Sequence, residues 1–151
     1  MYILKNGWTQ ELMVARINQY VPSHGCWIDD NNRNVILYNS YGVMREVRCA
    51  ASAMLPDGYF TDPETAGYLT TSIAGLSFTK FKKIEKHLPL DQIEMSVLQK
   101  EHDDYSAKIN SPSLGSKLPA HFNLKEHLIS WIRTNCISER DHKRQQVAAR
   151  I

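Results

Sequence analysis

Apolar positions recur at three- and four-residue spacing over most of this chain, and nearly every such stretch is opened by a residue able to cap a helix. Thr9 precedes Gln10 to Tyr20, where Met13, Ile17 and Tyr20 share one face while Gln10, Glu11, Arg16 and Gln19 supply the wet one. Trp8 and Met13 stand where a hydrophobic staple places its pair, and Pro22 and Gly25 end the stretch. From Ser77 onward Phe78, Phe81, Ile84 and Leu88 line a second helix that Pro89 stops. Leu90-Asp91 opens a third, with Ile93, Val97, Leu98 and Tyr105 as its expected apolar face. A fourth starts at Asn123 and carries Leu124, Leu128, Trp131 or Ile132, and Cys136. Ser138 opens a last helical segment. Asp91 with Glu94, Asn123 with Glu126, and Ser138 with Asp141 each set a short polar residue three positions before an acid, the pattern that satisfies free N–H groups at a helix start.

Between the first and second helices the period changes. Cys26-Trp27-Ile28, Val35 to Tyr38 and Val43 to Cys49 are short β-prone runs separated by Asp29 to Asn34 and Asn39 to Gly42, whose side chains favour turns. They predict a small three-stranded antiparallel meander, covered on one face by the helices. Ala50 to Leu55 is small and apolar, suited to a close approach of backbones, and Pro56-Asp57-Gly58 reads as a turn. Tyr59 to Gly75 reads as a long loop, and Asn110 to Pro119 as a surface linker. The expected architecture is α+β, a helix-dominated single domain over residues 1–137 followed by a basic C-terminal helical tail over 138–151.

Composition narrows the classes. The chain has 151 residues, enough for one core, and its net charge of +2 lacks the dense positive field of a dedicated nucleic-acid binder. No apolar run approaches the roughly 20 residues that span a bilayer, and the first residues lack a signal-peptide pattern, so no membrane partner and a cytoplasmic location are expected. Cys26, Cys49 and Cys136 are too scattered for a disulfide framework and are expected to be reduced thiols. No glycine-rich phosphate loop is present, and no cofactor is implied.

Four groups of residues could carry function. Cys49 stands at a strand-to-helix junction where exposed N–H groups could lower a thiol pKa, with His102 as candidate base and Asp103 as its orienting acid. Packing is the bland alternative for that cysteine. His24, Cys26, Cys49, His102 and Cys136 are ligand types for zinc, but their spacing lacks local pairs, so no metal is assigned. Tyr59, Phe60 and Tyr68 punctuate the central loop and are candidate interface anchors. Lys80, Lys82, Lys83 and Lys86, with Arg140, Lys143 and Arg144, form two basic segments that could touch phosphates without reading bases, or could serve only to hydrate their helices.

Trp8-Thr9, Cys49-Ala50 with Leu55-Pro56-Asp57, and Leu98-Gln99-Lys100-Glu101-His102-Asp103 together resemble a group of small uncharacterised proteins encoded by bacterial viruses. The resemblance spans about the first 105 residues. Where those proteins commonly have a glycine after Cys-Ala, this chain has Ser52-Ala53. The resemblance implies a phage context and no particular activity. The leading expectation is a phage-encoded interaction protein that binds a host or viral macromolecule, with a role in counter-defence among its uses. A protein partner is favoured over nucleic acid. A Cys49/His102-dependent hydrolase or transferase and a non-specific nucleic-acid binder remain as alternatives.

Overall fold

The computed structural model describes residues 1–23, 36–38, 44–46, 49–56, 77–109 and 123–150. In chain order these form β1 (Tyr2–Leu4), α1 (Gln10–Tyr20), β2 (Ile36–Tyr38), β3 (Met44–Glu46), α2 (Ala50–Ala53), α3 (Phe78–Glu85), α4 (Gln92–Ile109), α5 (Leu124–Asn135), β4 (Cys136–Ser138) and α6 (Glu139–Ala149). The fold is mostly helical, which corrects the α+β expectation built on a three-stranded meander. Ile36–Tyr38 and Met44–Glu46 do pair antiparallel, but as a two-stranded unit. The predicted strand at Cys26–Ile28 lies outside the described residues. The other strand pair is parallel, with Tyr2 opposite Cys136, Ile3 opposite Ile137 and Leu4 opposite Ser138. Two runs from opposite ends of the sequence thus meet, a pairing that local alternation does not signal.

The helix starts form as their caps dictate. Thr9 Oγ1 accepts from Leu12 N at 3.1 Å, Asp91 Oδ1 from Glu94 N at 2.8 Å, Asn123 Oδ1 from Glu126 N at 3.3 Å and Ser138 Oγ from Asp141 N at 3.1 Å. The staple pair Trp8 and Met13 is buried, and Met13 and Ile17 pack with Leu124, Leu128 and Ile132 in one apolar cluster. One predicted face is rotated. On α4 the buried stripe runs through Met95, Leu98 and His102, whereas Ile93 is 78% exposed. Met95 lies about 200° around the helix from Ile93, so only one of them can face the core.

Hydrogen bonds fasten the chain's start to the end of α3. Lys5, Asn6, Gly7 and Trp8 make a tight turn in which Asn6 and Gly7 have φ of 57° and 77°, and Trp8 N donates to Lys5 O at 3.1 Å. Two left-handed central residues are the geometry of a type I′ turn, which Asn-Gly suits because Gly has no Cβ and Asn tolerates that region. Carbonyls at and beyond the end of α3 find donors here. Asn6 Nδ2 donates to Glu85 O at 3.0 Å and Leu88 O at 2.8 Å, Trp8 Nε1 to His87 O at 3.0 Å, and Lys5 N to Pro89 O at 2.8 Å. Arg16 on α1 does the same for α2, donating from Nε to Ala53 O at 2.7 Å and from a terminal nitrogen to Leu55 O.

Two stability measurements check this account. Asn6→Ala should lower the unfolding free energy by about 2 kcal/mol through the lost side-chain bonds and the left-handed backbone, while Asn6→Gly, which keeps the backbone conformation at little cost, should recover about 1 kcal/mol of it. Equal losses would show that the turn is unstrained. On β4, burial pushes the Cys136 thiol from 9.0 up to about 11, with the Glu94 charge adding to the effect. Between those values the unfolded chain has lost the proton that the folded chain retains, so stability falls as pH rises through the window. Urea midpoints between pH 8 and pH 10.5 should drop more steeply for the natural sequence than for Cys136→Ala.

Candidate functional site

Two of the segments singled out in the sequence, Cys49-Ala50 and Leu98 to Asp103, meet in space. Cys49 is the N-cap of α2, whose Ala50, Ala51, Ser52 and Ala53 are all buried, and α2 packs against α4. Small side chains there permit the approach. Gln99 on α4 bridges the two helices, its Oε1 accepting from Ala51 N at 2.9 Å and its Nε2 donating to Asp103 Oδ1 at 2.8 Å. The same carboxylate oxygen lies 2.9 Å from His102 Nδ1. Because a carboxylate oxygen accepts, His102 donates from Nδ1 in this contact, leaving Nε2 as the ring's other polar atom. That Nε2 is fully buried and finds no hydrogen-bond partner among the described residues. Cys49 Sγ sits 2.7 Å from Ser52 Oγ.

His102 and Asp103 therefore touch, and Asp103 acts electrostatically on Cys49. The thiol, however, is not activated. Burial pushes its pKa up, hydrogen bonds from Ser52 offset part of that rise, and the negative charge of Asp103 adds to it. This corrects the expectation that a strand-to-helix junction would lower the thiol. The N–H groups of Ser52 and Ala51 at the start of so short a helix do act on the thiol, but they do not outweigh desolvation. His102 has no exposed surface. As it stands the cluster ties α2 to α4 with a protonated thiol inside it.

On the other side of α4, Tyr105 stacks on His127 with ring centroids 4.0 Å apart and planes 5° from parallel, and His127 Nε2 lies 3.0 Å from Glu101 Oε2. These contacts join α4 to α5. Among the described residues no group of three histidine, cysteine or acidic side chains could hold a metal, and no helix is long and apolar enough to cross a membrane. His24, Cys26 and the aromatic segment with Tyr59, Phe60 and Tyr68 lie outside the described residues.

The basic segments are displayed outward. Lys80, Lys82, Lys83 and Lys86 are exposed on and just after α3, where Lys82 pairs with Glu85 at 2.9 Å. Arg140, Lys143 and Arg144 are exposed on α6, none of whose eleven residues is buried. Lys143 pairs with Glu139 at 3.2 Å and Arg144 lies 3.9 Å from Asp141. Sequence reasoning missed what stands beneath this helix. A groove of about 350 Å3 is lined by Ile3, Leu4, Lys5 and Asn6 on one side and by Glu139, His142, Lys143 and Gln146 on the other. The only sequence signal for it was the helical spacing of those last four residues.

Alkylation distinguishes a packed thiol from a catalytic one. Native protein treated with iodoacetamide at pH 7.5 should modify Cys49 at least about tenfold more slowly than the urea-unfolded chain, as read by peptide mass mapping, because the raised pKa depletes the thiolate. Modification faster in the native protein would instead establish an activated nucleophile.

No protein-family model, curated protein or solved structure matches this chain, so its own geometry carries the functional reading.

Proposed function

We propose that this chain is a phage-encoded interaction protein that binds an acidic surface of a host or viral protein, with α6 as its principal contact element. The observation that carries the reading is a helix of eleven residues with no buried side chain, set against the two short strands β1 and β4. Eleven residues are too few for a helix to persist in water by propensity. Two exposed ion pairs add only about 0.3–0.5 kcal/mol each. The Ser138 cap and the strand beneath it fix the first turn. Beyond it, residues 143–149 are all exposed, a surface open to a partner. Arg140, Lys143, Arg144 and Arg150 against Glu139 and Asp141 leave it cationic. Opposite charge on a partner would speed encounter and fix register.

A protein partner suits this helix better than nucleic acid does. Acids alternate with its cations and engage two of them, whereas phosphate tracking needs an uninterrupted positive surface. The aromatic segment with Tyr59, Phe60 and Tyr68 would supply the apolar part of the contact. The Cys49/His102 enzyme is a second reading, favoured by the Asp103–His102 contact and opposed by the raised thiol.

Charge reversal on α6 checks the reading. Arg140→Glu with Arg144→Glu should leave the thermal midpoint within about 2 °C, since neither side chain is buried, while capture of a discrete partner from infected cells falls at least tenfold. Retained capture would remove α6 as the contact element. Capture that is lost on nuclease treatment would assign the basic helices to nucleic acid.

A further inference from the structure

We draw no further inference here: the strongest candidate, the buried side-chain cluster of Cys49, Gln99, His102 and Asp103 between α2 and α4, belongs to the site already described, and nothing among the described residues shows what would reach His102 Nε2.

Discussion

The parallel pairing of Tyr2–Leu4 with Cys136–Ser138 is the constraint on which the rest of the arrangement depends. It closes the molecule by joining the start of the described chain to the segment between its last two helices. It ends α5, because Cys136 is extended where the helix would otherwise continue, with Gln10 donating from α1 to the Cys136 carbonyl. It also starts α6. Ser138 is at once the last residue of the ladder and the cap of that helix, so the strand sets where α6 begins and the direction in which it leaves. A helix with no buried side chain could not orient itself.

The same short strand organises the opposite side. Immediately after it, the Asn6–Gly7 turn hands donors to the carbonyls at the end of α3, so one short segment touches both the lysine-rich α3 end and α6. The core beneath is held by helix faces from α1, α4 and α5 and by the small side chains of α2. Gln99 and Arg16 tie α2 at its two ends, one to an N–H and the other to carbonyls, so that a helix of four residues is ordered by its neighbours. Cys49 and Ala50 on one side and Leu98 to Asp103 on the other belong to this tie of α2 on α4.

Helix starts were legible because they are local. Thr9, Asp91, Asn123 and Ser138 each act on a backbone N–H three residues away, and a pattern of that reach is written in adjacent letters. The parallel ladder was not legible. Tyr2–Leu4 and Cys136–Ser138 are three residues each, too short for a period, and their pairing depends on every helix between them. For the same reason a meander inferred from residues 26 to 49 was given the weight that belongs to helix packing. Ile93 misled because apolar content was counted without phase, and Met95 two positions later took the core. Asn6-Gly7 is a local turn signal of the same reach as the caps. At Cys49 the residue types of a catalytic pair were visible, but desolvation, which decides the thiol's state, depends on the residues packed around it.

Native-state hydrogen exchange, read amide by amide on the full chain, tests the central claim most directly. If the ladder carries α6 and the outer turns of that helix add nothing to the fold, the inward-bonded amides of β1 and β4 will exchange only with global unfolding. Amides from Arg144 to Ala149 will exchange orders of magnitude sooner and become protected when the partner binds. Protection of α6 equal to that of the core in the isolated protein, or early exchange of the ladder, would contradict the account.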